Sequence, residues 1–368
     1  MIGAGRAASH DRPAADSAPA LDERRRVVHV VLPGDIDDPA TPSGGNSYDR
    51  RICAGLDEHG WSVREHPVPG EWPNPDPGAR TALTRLLVDT PDDAVVLLDG
   101  LIASTVPDLL APHTRRLRLV VLVHMPLDDE AEARALATAR AVVTTSEWTR
   151  RRLLTRHRLP ADRVRVAPPG VTPAPVATGS PSGDRLLCVA AVTHHKGHDV
   201  LVDALTTIAG RRWTLVCAGT LTREPDLVRL LRERLAAADL DDRVRLAGPL
   251  TPVALDAAYA AADLLVLPSR GETYGMVVTE ALARGLPVLG TDVGGLPEAL
   301  GHAPDGTRPG MLVPPDDPVA LTGALTRWLD DGPLRARLRH AALARRDTLS
   351  DWPVTTARLA AVLEEVAE

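Results

Sequence analysis

The chain of 368 residues has no phenylalanine and no glutamine, only two asparagines (Asn46 and Asn74) and three cysteines. Lys196 is its single lysine, against 41 arginines. Such a bias fits a GC-rich bacterial genome and makes the one lysine worth following. The three cysteines are odd in number and none are paired at metal-binding spacing. Cys188 and Cys217 sit in apolar runs and Cys53 in a segment of helical pattern, so the expectation is buried free thiols, with neither a disulfide framework nor a zinc site. No apolar run approaches the roughly 18 residues that a membrane-spanning helix requires. The opening segment MIGAGRAASHDRPAADSAPALDERRR lacks the apolar stretch of a secretion signal, which gives the expectation of a cytoplasmic protein. Nor is there a basic excess: 42 basic residues against 49 acidic ones give a net charge of −7, which disfavours a nucleic-acid partner and leaves room for a local basic pocket.

What is present is ordinary globular composition, 44% hydrophobic and 25% charged, in a chain too long for one core. Short Val/Leu runs alternate with longer segments of helical period. The runs are VVHVVLP (27–33), AVVLLDG (94–100), LRLVVLVH (117–124), AVVTTS (141–146) and VRVAPPG (164–170), then RLLCVAAV (185–192), WTLVCAG (213–219), VRLAG (244–248), LLVLPS (264–269), PVLGT (287–291) and GMLVPP (310–315). Unalternated apolar runs are the pattern of strands buried on both faces, with helices as crossovers. The fold class expected is α/β, two Rossmann-like doubly wound domains facing a central cleft. Its parts are a disordered leader at 1–26, a first domain at 27–170, a Pro/Gly/Ser-rich linker at 171–184, a second domain at 185–349 and a C-terminal helix at 350–368.

The segment LPSRGETYGMVVTEALARGLPVLGTDVGGLPE (267–298) carries Glu272 and Glu280. On one helix they would stand about 12 Å apart along the axis and be turned roughly 80° from one another, too far for a cooperating acid and base. Pro268, Gly271 and Gly275 predict instead a strand, a loop bearing Glu272 and a helix starting near Gly275, so that both carboxylates face one ligand. A helix N-terminus after such a loop is an anion site, its donors here the amides of Tyr274, Gly275, Met276 and Val277. Carboxylates beside a phosphate cradle accept hydrogen bonds, and sugar hydroxyls are the natural donors. A nucleoside diphosphate sugar has hydroxyls on both sides of its pyrophosphate.

Lys196 and Gly197, in VAAVTHHKGHDVLVDAL, follow another strand and place an ammonium at the mouth of the same cleft. Gly44 and Gly45 follow the first strand, where a diglycine turn lets backbone approach a ligand, and His124 ends the strand LRLVVLVH. Two motifs mislead. GAGRAA (3–8) imitates a dinucleotide fingerprint but has no strand before it. Asp35 to Asp37 resemble a metal-holding acidic pair but read as an exposed acidic loop.

Together these residues resemble the retaining glycosyltransferases of the GT-B fold, family four. The resemblance is closest in KGHDVL, in VRLAGPL and YAAADLLVLPSRGETYGMVVTEALARGLPVLGTDVGGLPE, and in GMLVPPDDPVAL; it is looser in GGNSYDRR, LVHMPL, VVTTSEWTRRRL and VAPPGV. It implies transfer of a sugar from a UDP-, GDP- or dTDP-linked donor to an acceptor hydroxyl with the anomeric configuration retained, with no metal and no cofactor. Glu272 would hold hydroxyls of the transferred sugar and Glu280 the ribose; Tyr274 to Val277 would meet sugar and phosphate, and Lys196 the phosphate. Gly44 and Gly45 would close on the donor, His124 would support the reacting sugar, and the base would lie against the turn from Gly248 to Leu250. The family's arginine five positions before the lysine is replaced by Ala191, which leaves Arg270, Arg223 or His194/His195 as substitutes. The acceptor could be a small molecule, a lipid or a cell-wall precursor, and the amphipathic tail leaves peripheral membrane contact open. Alternatives are a nucleotide-sugar epimerase, a pseudo-glycosyltransferase synthase, and a non-catalytic binding partner with the same fold.

Overall fold

The computed structural model describes residues 26–40 and 42–368; the expected leader, up to residue 25, and the GAGRAA motif lie outside the described residues. Six strands, β1 (Arg26–Pro33), β2 (Trp61–Val68), β3 (Val95–Asp99), β4 (Arg118–Val123), β5 (Ala141–Thr144) and β6 (Val164–Val166), form one sheet in the order β2-β1-β3-β4-β5-β6. A second sheet, in the order β12-β11-β10-β7-β8-β9, comprises β7 (Arg185–Val189), β8 (Thr214–Ala218), β9 (Val244–Gly248), β10 (Leu264–Leu267), β11 (Val288–Thr291) and β12 (Gly310–Val313). Every pairing in both is parallel. The expected doubly wound α/β class is therefore what the chain adopts, twice.

One strand was absent from the apolar runs. WSVREHPV (β2) interleaves charged residues and Pro67, and only Trp61 and Val68 at its ends are buried. It is the edge of its sheet, with one flank unpaired, where a proline and charges are tolerated. The buried runs of β3 and β4, by contrast, are read directly from their Val and Leu content.

The strand orders decide where ligands can sit. In an open parallel sheet the connections leave in opposite directions at one point, and a crevice opens there beyond the carboxyl ends of the strands. In the second sheet that point lies between β7 and β10, the strands that precede Lys196 and Glu272. In the first it lies between β1 and β3, which lead to Gly44/Gly45 and to Asp99.

The helix Trp352–Ala367 returns from the second half to the first. Its Leu359, Ala360, Leu363 and Val366 are buried with Val28, Val30, Leu97 and Val120 of the first sheet. Its return path runs beside the outward one: the Val171 amide donates to the Ser350 carbonyl at 2.9 Å, and the Thr355 hydroxyl to the Pro168 carbonyl at 2.7 Å. The halves also meet at Glu298, whose carboxylate accepts the N–H groups of Glu147 and Trp148 at 3.0 and 3.2 Å, at the N-terminus of the helix Glu147–His157. No helix among the described residues is long and apolar enough to cross a membrane.

Candidate functional site

Lys196 ends a short turn, His194–Lys196, after β7. The next residue, Gly197, has φ +68, and a Cβ there would lie 2.0 Å from the Pro268 carbonyl oxygen. Only glycine allows that approach, and it draws the lysine across to the loop after β10. The Lys196 ammonium lies 2.7 Å from Glu272 Oε1, which also accepts the Ser269 hydroxyl at 2.8 Å. The pair is partly open, with 26% of the lysine and 10% of the glutamate side chain exposed. The Glu272 loop is backed by Gly294 and Gly295: Gly294 has φ +58, a Cβ on it would lie 1.8 Å from the Glu272 carbonyl oxygen, and the Gly295 amide donates to that oxygen at 2.8 Å. The sequence reading quoted this diglycine without assigning it a role.

The helix after the loop spans Met276–Ala283 and starts at Gly275 with no side-chain cap. The amides of Tyr274, Gly275, Met276 and Val277 donate to no acceptor among the described residues, so the helix start presents free donors beside Lys196 and Glu272. Glu280 lies further along the helix, where its carboxylate accepts the Tyr259 hydroxyl at 2.9 Å. Burial pushes the Glu280 carboxyl above the usual carboxylate range, against the opposing effects of Tyr259 and Arg284.

From the first half, the helix Gly44–Gly55 begins at the diglycine, capped by Ser43, whose hydroxyl accepts the Asn46 amide at 3.0 Å. A Cβ on Gly44 would come 3.5 Å from Met276 Sδ, and one on Gly45 3.3 Å from His124 Cδ2. The structure thus brings Gly44, Gly45, His124 and Met276 together across the cleft. His124 Nε2 is 2.8 Å from Asp49 Oδ1 and 3.8 Å from Asp99 Oδ2. Burial opposes the charge on His124, but Asp49, through charge and hydrogen bond, and then Asp99 more than offset it and hold the imidazolium up to about 9. Asp49 and Asp99 are residues the sequence reading missed. The signal was there: a carboxylate closing a fully buried strand, in AVVLLDG, and another one helical turn after the diglycine, in GGNSYDRR.

Other expected residues make no hydrogen bond to Lys196 or Glu272 among the described residues. The turn at Gly248 leaves Leu250 half-buried after β9, an edge strand two places from β7, and no hydrogen bond among the described residues joins it to Lys196 or Glu272. Arg270, one of the residues expected to stand in for the arginine missing at Ala191, is paired with carboxylates. Its guanidinium is paired with Asp199 at 2.8 and 2.9 Å and with Asp316 at 2.5 Å, tying the loop after β10 to the first turn of the helix His198–Thr207 and to the loop after β12. Arg223 is exposed, on the loop beside Glu224, which accepts the His194 amide at 2.9 Å. In the acidic loop, Asp37 is exposed and pairs with Arg50. All three cysteines are free and buried. Cys188 and Cys217 face each other on β7 and β8, and His198 Nε2 stands 3.7 Å from Cys188 Sγ, a proximity the sequence spacing concealed. These residues fit a metal poorly, since His198 Nδ1 has no partner to receive the proton that an ion on Nε2 would leave there.

Two family models match the chain, Glycosyltransferase Family 4 over residues 14–174 and Glycosyl transferases group 1 over residues 183–331, one on each half. The D-inositol 3-phosphate glycosyltransferase of Jonesia denitrificans is 31% identical over 253 residues, 63% of this chain and 58% of that protein. The chain spans about half the length of the curated relatives it matches. Among solved structures, sucrose-phosphate synthase from Thermosynechococcus elongatus superposes with a TM-score of 0.74 at 21% identity, covering 93% of this chain and 99% of that one. Anabaena HepE, solved in complex with UDP-glucose, gives 0.72 at 18% identity, covering 92% and 99%. These two likenesses concern the fold. On the two family matches, one for each Rossmann-like half, and on the shared two-domain fold, the chain belongs to the family 4, group 1 glycosyltransferases and has the GT-B architecture.

Proposed function

We propose that the protein is a retaining glycosyltransferase that moves a sugar from a nucleotide-sugar donor to an acceptor hydroxyl in the cytoplasm, without a metal ion. The observation that carries this reading is the Lys196–Glu272 pair beside the uncapped start of the helix Met276–Ala283, at the crevice of the second sheet. A diphosphate arriving there meets an ammonium and free amides, which supply the positive charge that the leaving group needs as its bond to the sugar breaks. The lysine then exchanges Glu272 for phosphate, and Glu272 is released to accept sugar hydroxyls. Attack on the same face, with a leaving phosphate oxygen taking the acceptor proton, assigns the protein the tasks of orientation and charge stabilisation.

Sugar release and transfer are to be measured over a panel of UDP-, GDP- and dTDP-sugars, with and without EDTA, and product configuration read by NMR. UDP-glucose comes first, because HepE is seen with it, and D-inositol 3-phosphate is the first acceptor, from the relatives' name. Inverted product refutes retention, and loss of turnover on chelation refutes metal independence. The two glutamates separate by role. Glu280→Gln should weaken UDP binding by about one to two orders of magnitude, the worth of a charged hydrogen bond, whereas Glu272→Gln should leave UDP affinity nearly unchanged and lower kcat. Equal loss of UDP binding in both would overturn the assignment. Ala191, with Arg270 committed elsewhere, favours one second reading, a binding protein without turnover; UDP binding with no reaction in any mixture would establish it.

A further inference from the structure

We propose that Asp49 and Asp99 are positioning residues that hold the His124 imidazole protonated and in one orientation, so that it faces the reacting sugar as a charged hydrogen-bond donor. That the ring faces a sugar rests on the function proposed above; the protonation state of the ring does not.

The three groups share one buried knot at the carboxyl ends of β3 and β4, under the helix Gly44–Gly55. The two carboxylates are 2% and 3% exposed and the imidazole 12%, so the ring is the outlet of the knot toward the cleft. It is confined on one side by Gly45 and held at Nε2 by Asp49. Asp99 Oδ1 accepts the Leu101 amide at 2.6 Å, while Oδ2 lies on the His124 side. Asp49 Oδ2 is buried and accepts no hydrogen bond among the described residues.

Two ionised carboxylates this close would leave a buried net negative charge even with the imidazole protonated, and that oxygen unpaired; both are costly. One proton on Asp99 removes both faults. The carboxylic acid can donate to Asp49 Oδ2, and the knot then holds one positive, one negative and one neutral group. The direction of titration agrees, since burial first and Asp49 second push Asp99 up to about 7. The remaining titratable neighbours do not compete for these protons: the Cys53 thiol, one turn on from Asp49, is pushed up to about 12, by burial first. Tyr48 lies edge-on to the imidazole at 5.2 Å and donates its hydroxyl to the Ala167 carbonyl, and burial keeps it un-ionised. Arg358, on the helix Trp352–Ala367, acts on Tyr48 from outside the knot. From the second half the facing residue is Met276, which carries no charge.

The test is a titration of His124 by long-range proton–nitrogen NMR on the full chain with labelled histidine, the resonance being identified by its loss in His124→Gln. Wild-type His124 should stay protonated at neutral pH, with a midpoint near 9. Asp49→Asn should lower that midpoint by about two units or more, and Asp99→Asn, whose amide imitates the neutral acid, by much less. In turnover, Asp49→Asn should reduce kcat by about ten-fold or more with little change in donor KM. A wild-type midpoint near 6.5, a midpoint indifferent to Asp49→Asn, or a stoichiometric shift of the His124 signal by Mg²⁺ would each overturn the proposal. If Asp49→Asn does not fold, the wild-type midpoint decides. A midpoint near 9 in a protein that transfers no sugar would refute the proposed function and leave the proton assignment standing.

Discussion

Each half of the molecule sets a cation against carboxylate at the end of a buried parallel strand, and the two do it differently. In the second half Lys196 and Glu272 form a one-to-one pair that is partly open, on loops held together by Gly197 and Gly294. In the first half one histidine is shared by two carboxylates that are almost wholly enclosed. An open ion pair is worth little and is easily exchanged for another partner; an enclosed one keeps its charge, because separating it would leave an uncompensated ion in a poorly solvated place. On the proposed function, the second half would hold groups that change partners when a ligand binds, and the first a group whose state is fixed before binding.

The comparison can be broken most forcefully at Lys196. Lys196→Ala should lower kcat/KM for the donor by about 10²- to 10³-fold, the usual cost of losing one stabiliser of a developing anion, while the melting temperature changes little; steady-state kinetics with thermal melts would check this. Next comes the frame of the open pair. Gly294→Ala places a Cβ against the Glu272 carbonyl at a positive φ, so the Glu272 loop must shift, and a displacement near 1 Å can cost about 10²-fold in turnover. Kinetics of a protein whose circular dichroism is unchanged would show it. The join between the halves is a smaller matter: Glu298→Ala removes the carboxylate at the start of the helix Glu147–His157 and should cost about 1 kcal/mol by chemical denaturation.

The smallest effect sharpens the first half. The folded-state pKa of His124 lies above its ordinary 6.5, so its contribution to stability is complete below that pH and is lost as pH rises through about 9. Asp99, also raised, adds to the same slope: its protonated form is favoured by folding, and stability falls as pH climbs from about 4 toward 7. Melting temperature should decline over this range in the wild type, and the part between pH 6.5 and 9 should flatten in His124→Gln.

The sequence exposed the second half more fully than the first, for physical reasons. Strands covered on both faces write their burial into continuous Val and Leu runs, and loops that pass as close to other backbone as those at Gly197 and Gly294 write glycine at fixed places; both are local signals. The edge strand β2 has no such signature, since half of it faces water. Asp49 and Asp99 are 50 residues apart and become a unit only once β1, β3 and β4 are paired. The same holds for the neighbourhood of Cys188, His198 and Cys217, and for the pairing of Arg270 with Asp199, which chain position alone does not reveal.

The helix Trp352–Ala367 bears on how the molecule is made. The six strands of the first sheet are complete at Val166, yet part of one face, beside the cover given by Tyr48, Ile52 and Leu56, is packed by residues synthesised only after the whole second half. During translation Val28, Val30, Leu97 and Val120 must therefore wait, only partly covered, while the second half is made. Domains that emerge first ordinarily fold first; here the earlier half can assemble its sheet but cannot finish its core. A nascent chain stalled before Trp352 would carry a sticky apolar surface, and the first half would reach its mature packing only after the second half had been made.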